Sequence, residues 1–215
     1  MNKFQALARL ALKPKRLVAL LSFGHKGYLQ SIGWFKAYDE KAAIDGKGNA
    51  LPWVTYSFID FIKDRISKKH NVFEYGSGSS TAFYAKRAKT VVSVEHNEAW
   101  YELVSKSNPV NAEIIFCALK RGGSYSNKAA DLNRKFEIII VDGRDRVNCC
   151  KNSIAALSED GVLILDDSER SIYKPAVEFL KAQGFKELSF SGISPGLFYL
   201  KATSVFYKAN NCLDI

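Results

Sequence analysis

The chain has 215 residues, of which 47% are apolar and 25% charged, enough for one α/β domain with a buried core and a short extension. Its net charge of +9 is uneven, since residues 1–38 contain seven of the 31 basic residues and no acidic one, which argues against a broad nucleic-acid-binding face. The absence of a long apolar run argues against a membrane span, and four cysteines without disulfide or metal-type spacing favour a reducing cytoplasm.

Residues 1–38 form a basic arm in which cations are interleaved with apolar side chains. Pro14 stands where a helix can begin, and a helix here would have an apolar side and cationic positions. Such a helix can lie in the interface of an anionic membrane, here the inner membrane face. The alternative is that its apolar side packs as a lid on the rest of the protein, or on a second subunit of a homo-oligomer.

Residues 1–70 as a whole are predicted to be a helical N-terminal extension. Pro52 marks a second helix start, and apolar residues then recur at helical spacing, which predicts a helix through Lys69. Between the two predicted helices, the run Asp-Gly-Lys-Gly-Asn at 45–49 has the composition of a loop.

From Asn71 the pattern changes to short strands that alternate with helices, which predicts a second unit over residues 71–215. Strands are predicted at 72–75, 90–94, 113–117, 136–141 and 161–165, and helices at 79–88, 98–107, 147–157 and 173–183. Uninterrupted apolar strands indicate a parallel sheet covered on both faces. Two consecutive strands close the pattern, so we expect a doubly wound, mostly parallel, seven-stranded sheet that ends in an antiparallel hairpin.

A glycine-rich loop follows the first predicted strand. Gly76 and Gly78 lie just before a helix, at the edge where open α/β sheets bind ligands. Glu95 ends the second strand 19 residues after Gly76, a spacing suited to a carboxylate that holds ribose hydroxyls. The order of strand, loop, helix, strand and acid predicts nucleoside binding; the alternative is a tight turn and a surface glutamate.

Two positions narrow the kind of nucleoside. Thr81 stands where a dinucleotide fingerprint has its third glycine. Glu74, just ahead of the loop, would repel a pyrophosphate and attract an ammonium group. A ligand with a ribose and a cationic amino-acid end therefore fits better than NAD.

The motif FEYGSGSS at 73–80 resembles the first motif of class I S-adenosylmethionine-dependent methyltransferases, and the resemblance covers about residues 71–209. It implies a Rossmann-like fold and S-adenosylmethionine as cofactor. Glu74 would face the methionine amino group, Glu95 would hold the ribose, and His96 would border the adenine or solvent. The remaining residues implied near the cofactor are Gly76, Ser77, Gly78, Ser79, Ser80 and Asp142.

The resemblance has two departures. Ser80 stands where a third glycine is common, and the third strand ends without an acid to meet the adenine amine. Residues 26–62 also resemble the leader of little-characterised bacterial methyltransferases, which says nothing about the substrate.

Two further strand ends are acidic. Asp142 follows the fourth strand, and Asp166 and Asp167 follow the fifth. Adjacent strand ends lie about 5 Å apart, and carboxylates that close need a cation, a shared proton or bound water. A hard divalent ion with oxygen ligands would also lower the pKa of a substrate hydroxyl. All three aspartates are therefore predicted as catalytic residues and as metal ligands.

This layout resembles metal-dependent catechol and caffeoyl-type O-methyltransferases, which hold Mg²⁺ at the corresponding strand ends. Asp167 replaces an asparagine of that family, and Arg144 and Asp145 stand where its lysine base would be. The alternative is that Asp166 and Asp167 cap the next helix while Asp142 meets the cofactor or solvent. Three arginines flank these acids, and they either bind an anionic substrate or pair with the aspartates: Arg144, Arg146 and Arg170.

The features together predict an O-methyltransferase that acts on a small molecule or a saccharide. An RNA methyltransferase is an alternative, since the basic arm could follow phosphates. A polyamine-synthase-like aminopropyl transferase is another, because Asp142 and Asp145 match its Asp-x-x-Asp pattern. A non-catalytic nucleoside-binding module is the third.

Overall fold

The computed structural model describes residues 13–215, so the predictions for residues 1–12 of the arm lie outside the described residues. The helical segments that precede the sheet are α1 (Pro14–Ser22), α2 (Tyr28–Ser31), α3 (Trp34–Glu40) and α4 (Tyr56–Ile62). Pro14 occupies the first turn of α1, as predicted, because a proline needs no hydrogen-bond partner there. The predicted loop at 45–49 is confirmed, and the Asp45 carboxylate closes it by accepting the backbone N–H groups of Lys47 and Asn49 at 2.8 Å.

The helix predicted from Pro52 to Lys69 is wrong at both ends. The segment before Tyr56 is extended, because it is hydrogen-bonded to the terminal hairpin: Thr55 Oγ1 donates to the Phe190 carbonyl at 3.1 Å, and Tyr56 N donates to the Ile193 carbonyl at 3.0 Å. At the other end the helix stops at Ile62, and turns occupy the chain up to the first strand. Tertiary hydrogen bonds thus override the helical periodicity here.

The sheet is the seven-stranded, doubly wound sheet that the sequence predicts. Its order is β3-β2-β1-β4-β5-β7-β6, parallel from β3 to β5 and antiparallel at β5–β7 and β7–β6. The strands are β1 (Asn71–Tyr75), β2 (Thr90–Glu95), β3 (Ala112–Phe116), β4 (Phe136–Val141), β5 (Leu157–Asp166), β6 (Lys186–Gly192) and β7 (Lys201–Tyr207). The terminal hairpin is confirmed, and β7 inserts between β5 and β6.

Helices connect the strands on both faces of the sheet. They are α5 (Ser79–Arg87), α6 (Glu98–Ser105), α7 (Ser124–Asp131), α8 (Arg146–Ser153) and α9 (Lys174–Ala182), with 3₁₀ turns at Ile154–Ala156 and Ser171–Tyr173. Helix α7 was not predicted, because its polar sequence has only two core residues, Tyr125 and Ala129, both fully buried. The predicted helix 147–157 ends earlier, since Leu157 already pairs with Phe136 as the first residue of β5.

Two apolar cores flank the sheet. Alternate residues of β4 point to opposite faces, so that Ile138 and Ile140 lie in one core while Ile139 and Val141 lie in the other. The first core also contains residues of the N-terminal extension, among them Trp34, Leu51, Tyr56 and Phe58. Residues 34–62 therefore share a core with the sheet and cover one of its faces. Within residues 13–215, no helix is both long and apolar enough to cross a membrane.

Candidate functional site

The site lies where the strand order reverses, between β1 and β4. Tyr75 and Val141 are paired at the carboxyl ends of these two parallel strands, and Asp142 N donates to the Tyr75 carbonyl at 3.3 Å. The chain leaves the sheet in opposite directions from this point, which opens a crevice above the strand ends. Gly76 and Asp142 therefore stand side by side at its floor.

The loop after β1 depends on glycine at two positions. Gly76 has φ 103° and Gly78 has φ 143°, a region that L side chains rarely adopt. Thr81 then ties the loop to the strand, because its hydroxyl accepts the N–H of Gly78 at 3.1 Å and donates to Glu74 Oε2 at 2.8 Å. Thr81 is thus a buried bridge in the place where a dinucleotide-binding loop has glycine.

Glu74 is an almost completely buried carboxyl at the floor of the crevice. Besides Thr81, the Ser93 hydroxyl donates to its Oε2 at 2.9 Å. Burial raises the pKa of Glu74 to about 7, although these hydroxyl hydrogen bonds favour the charged form. A cationic group that enters the crevice would therefore favour the ionised form of the Glu74 carboxyl.

Glu95, at the end of β2, accepts hydrogen bonds from the glycine loop and from the residues that follow β2. Its Oε2 accepts the Ser77 hydroxyl at 3.0 Å, and its Oε1 accepts the N–H groups of His96 and Asn97 at 2.8 Å. Trp100 closes this side by donating from its indole nitrogen to the Ser77 carbonyl at 3.0 Å. Glu95 is therefore a fixed acceptor whose position depends on the loop.

One cavity of about 490 Å³ joins these groups. All the residues predicted at the cofactor line it, together with Trp100: Glu74, Gly76, Ser77, Gly78, Ser79, Ser80, Glu95, His96 and Asp142. Asp166 and Asp167 do not line it, although both contact the arginine that pairs with Asp142. The structure thus brings the cofactor set and one of the three predicted catalytic aspartates into a single space.

The N-terminal extension builds the opposite wall of this cavity, through Lys41, Ala42, Ala43, Leu51 and Trp53. Two indole hydrogen bonds hold this wall to the loop between β6 and β7. Trp34 Nε1 donates to the Leu197 carbonyl at 2.8 Å, and Trp53 Nε1 donates to the Pro195 carbonyl at 2.9 Å. Sequence reasoning missed these wall residues, since they lie in turns and extended segments without a recognisable motif.

The three aspartates meet two buried cations. Arg146 NH2 lies 3.0 Å from Asp142 Oδ1, and its NH1 lies 3.5 Å from Asp166 Oδ2 and 3.4 Å from Asp167 Oδ2. Lys201 Nζ lies 2.7 Å from Asp166 Oδ2 and 3.0 Å from Asp167 Oδ1. Burial by itself lowers the pKa of Lys201, but the charge and hydrogen bond of Asp166 outweigh it and raise that pKa. The neighbouring acids therefore favour the protonated, charged form of Lys201.

Asp142 reaches the cavity with a side chain that is 24% exposed, and Arg146 also lines the cavity. Burial and the nearby Asp166 carboxylate raise the pKa of Asp142 well above its usual range, against the opposing charge of Arg146. A carboxylate with a raised pKa is a stronger base than an ordinary aspartate. Its partner Arg146 is also locked by the backbone, donating to the carbonyls of Gly143 at 3.0 Å and Asp142 at 3.0 Å.

The residues present do not fit the predicted Mg²⁺ site. The carboxylates of Asp142, Asp166 and Asp167 are compensated by Arg146 and Lys201, and the Thr203 hydroxyl takes the remaining oxygen of Asp166 at 2.8 Å. A divalent ion at this place would meet two fixed positive charges. Within residues 13–215, no group of three metal-ligating side chains is placed to hold an ion.

The alternatives for these acids are also corrected. Asp166 and Asp167 do not cap a helix, since the next helical turn begins at Ser171 and neither side chain accepts its N–H groups. Asp145 lies outside the cavity, and its Oδ2 accepts the Gly122 N–H at 2.7 Å, so the pattern Asp-x-x-Asp does not form a joint site with Asp142. Of the flanking arginines, Arg170 pairs with Asp167 at 2.9 Å, whereas Arg144 lines the cavity.

Solved structures of similar fold identify the architecture. The chain is similar to the O-methyltransferase from Bacillus cereus in complex with S-adenosylhomocysteine, with TM-score 0.59 and 12% identity over 88% of this chain and 96% of that one. A protein from Staphylococcus aureus assigned as a caffeoyl-CoA O-methyltransferase gives TM-score 0.55 and 16% identity over 91% and 99%. A methyltransferase-like protein from Silicibacter pomeroyi gives 0.52 and 21% over 74% and 90%.

No model of a protein family matches the chain, and no curated protein sequence matches it. The likeness therefore shows the fold: the chain has the Rossmann-like fold of class I S-adenosylmethionine-dependent methyltransferases. Fold by itself does not determine a substrate.

Proposed function

We propose that the protein is an S-adenosylmethionine-dependent O-methyltransferase whose acceptor is a small molecule or a saccharide. The proposal rests on the single cavity of the site. Glu74, the glycine loop and Glu95 line one side of it together with Asp142, and wall residues between 41 and 53 line the other. A methyl transfer needs such a space, because cofactor and acceptor must meet in line within it. The similar fold of an O-methyltransferase bound to S-adenosylhomocysteine supports this cofactor.

The cofactor side is assigned by charge. Glu74 ionises against the amino group of the methionine end, and Glu95 accepts hydrogen bonds from the ribose hydroxyls. The glycines at 76 and 78 let the backbone approach the ligand without a side chain between them. A pyrophosphate would meet Glu74 at the floor, so this side disfavours a dinucleotide.

The acceptor side is formed by Asp142, beside the loop, and by the wall that faces the loop across the cavity. Asp142 takes the proton of the acceptor hydroxyl, which becomes the nucleophile, and Arg146 holds the carboxylate in place. S-adenosylmethionine supplies, when bound, an electrophilic methyl group on a sulfonium. Trp53 offers a fixed indole face for a planar or sugar ring, and Lys41 and Arg144 provide positive charge for an anionic substituent.

Calorimetry with S-adenosylhomocysteine and NAD tests the cofactor assignment. We expect S-adenosylhomocysteine to bind and NAD not to bind. Glu95→Ala should weaken binding by about 1.5–3 kcal/mol, because a charged acceptor is lost. Glu98→Ala, three residues away in the exposed first turn of α6, is the matched control. Equal affinity of wild type and Glu95→Ala would refute the ribose assignment.

A panel of acceptors with labelled S-adenosylmethionine tests the reaction. Small hydroxylated molecules and saccharides with anionic groups should accept label, and Asp142→Asn should abolish transfer while it retains S-adenosylhomocysteine binding. Structured RNA belongs in the same panel, since label on RNA alone would favour the RNA-methyltransferase alternative over this proposal.

A further inference from the structure

Helix α1, Pro14–Ser22, lies outside both cores of the protein. It contains no buried residue, and the cavity wall is formed instead by residues from Lys41 onward. Helix α1 therefore does not form the lid that the sequence allowed as an alternative, whereas Trp34 and Ala37, farther along the arm, are buried against the rest of the protein. Packing against the rest of the described residues therefore does not account for the amphipathic pattern of α1.

The two sides of the helix differ in chemistry. At 3.6 residues per turn, Leu17, Val18, Leu20 and Leu21 fall on one side, and Lys15 and Arg16 fall on the other, as an amphipathic helix requires. The apolar side is open to solvent: Val18 is 66% exposed, Leu21 64% and Leu20 49%. A contiguous apolar surface of this kind marks an interaction site.

The charge around the helix selects the partner. Residues 13–38 contain five cations and no carboxylate: Lys13, Lys15, Arg16, Lys26 and Lys36. A second copy of the chain on this face would bring two such sets of like charge together around a symmetry axis, which opposes association. An anionic lipid surface offers the complementary charge and, beneath it, an apolar layer for the leucines.

We propose that helix α1 docks the protein reversibly on an anionic bilayer. Its apolar side enters the boundary between headgroups and acyl chains, and Lys15 and Arg16 stay at the level of the phosphates. Each cation near an anionic leaflet contributes about a fivefold gain in partitioning, so the four cations at 13–26 act together. The proposal concerns the surface of the extension and does not rest on the proposed reaction.

Co-sedimentation of the full chain with vesicles tests this docking. Vesicles of phosphatidylcholine with about a third phosphatidylglycerol should pellet the protein at low salt and release it at high salt, since salt screens the attraction. Pure phosphatidylcholine vesicles should leave it in the supernatant. Equal binding to both compositions, or no pelleting with anionic vesicles at low salt, would overturn the proposal.

Two double variants separate the charge from the apolar contribution. Lys15→Gln/Arg16→Gln should lower the partition coefficient about 25-fold, and Leu20→Ser/Leu21→Ser should lower it at least tenfold. Lys106→Gln/Lys186→Gln makes the same charge change at exposed positions outside the extension and should leave partitioning within about twofold. Equal losses in the control would overturn the assignment to the helix.

Two further measurements keep the outcomes distinct. S-adenosylhomocysteine affinity and melting temperature should be unchanged in both helix variants, which shows that the fold is intact. Sedimentation without vesicles should give the same mass for wild type and Leu20→Ser/Leu21→Ser. A concentration-dependent dimer that this variant abolishes would assign the helix to a second copy and overturn the membrane proposal.

Discussion

The ammonium group of Lys201 lies 2.7 Å from Oδ2 of Asp166, and both side chains are buried at the junction of β7 and β5. Lys201 also donates to the Trp53 carbonyl at 2.8 Å. One side chain thus compensates the acids at the end of β5 and holds the cavity wall that the extension contributes. It connects the two halves of the candidate site.

Removal of the Lys201 cation should destabilise the folded protein. Lys201→Met leaves the carboxylates of Asp166 and Asp167 with a single buried cation, and we expect a loss of about 3–5 kcal/mol in the free energy of unfolding. Urea denaturation at pH 7 measures it. Asp166→Asn added to Lys201→Met should recover part of the loss, because one uncompensated charge disappears.

Lys186→Met is the control for this variant, since Lys186 is an exposed lysine on the neighbouring strand β6. It should change the free energy of unfolding by less than about 0.5 kcal/mol. Equal effects of the two substitutions would show that the Lys201 ion pairs contribute nothing to stability.

Divalent ions should leave the protein unchanged. Because Arg146 and Lys201 occupy the place of a metal beside the aspartates, millimolar Mg²⁺ or Mn²⁺ should not shift the melting temperature or the S-adenosylhomocysteine affinity. Excess chelator should have as little effect. Saturable binding of one Mn²⁺ ion, lost in Asp142→Asn, would contradict this and restore the metal site.

Glu74 should make stability depend on pH. Its pKa is raised from 4.5 to about 7 in the folded protein, so the folded state binds this proton more tightly than the unfolded chain. The free energy of unfolding should therefore fall as the pH rises from about 4.5 to about 7, and this contribution should be constant above that range.

Glu74→Gln removes this contribution, and the difference between wild type and variant isolates it from other titrating groups. Chemical denaturation at several pH values between 4 and 8 gives the two curves. Wild type should lose stability relative to Glu74→Gln across that window. A relative gain with rising pH would mean that the pKa of Glu74 is lowered by folding.

Gly143 should not tolerate a side chain. A Cβ there would collide with the Tyr125 hydroxyl and lie 3.0 Å from the Tyr75 carbonyl carbon and 3.1 Å from Gly76 N. The backbone of β1 cannot give way without moving the glycine loop, so Gly143→Ala should cost about 1–3 kcal/mol and weaken S-adenosylhomocysteine binding. Gly24→Ala, where the nearest atom is at 3.7 Å, is the control and should do neither.

The amino-acid sequence by itself determined the class of sheet, the terminal hairpin and which residues of the glycine loop and strand ends line the cavity. Apolar runs, turn residues and the spacing from Gly76 to Glu95 are local features, and each predicts the conformation of its own segment. The carboxyl ends of parallel strands then meet at one edge, so the positions of Glu74, Glu95 and Asp142 followed from the strand pattern alone. Helix α7 was not predicted because its segment buries few apolar residues and these show no clear helical periodicity.

Only the tertiary structure decided what surrounds the acids. Lys201 carries no local signal, and it reaches Asp166 because β7 inserts beside β5, where Thr203 is the register partner of Asp166. The extended segment before Tyr56 and the wall at Trp53 likewise depend on hydrogen bonds to the hairpin. Contacts between segments about 150 residues apart arise from strand order and packing, which short-range periodicity does not encode. The same three aspartates therefore predicted a metal site in the sequence and form a network of ion pairs with Arg146 and Lys201 in the fold.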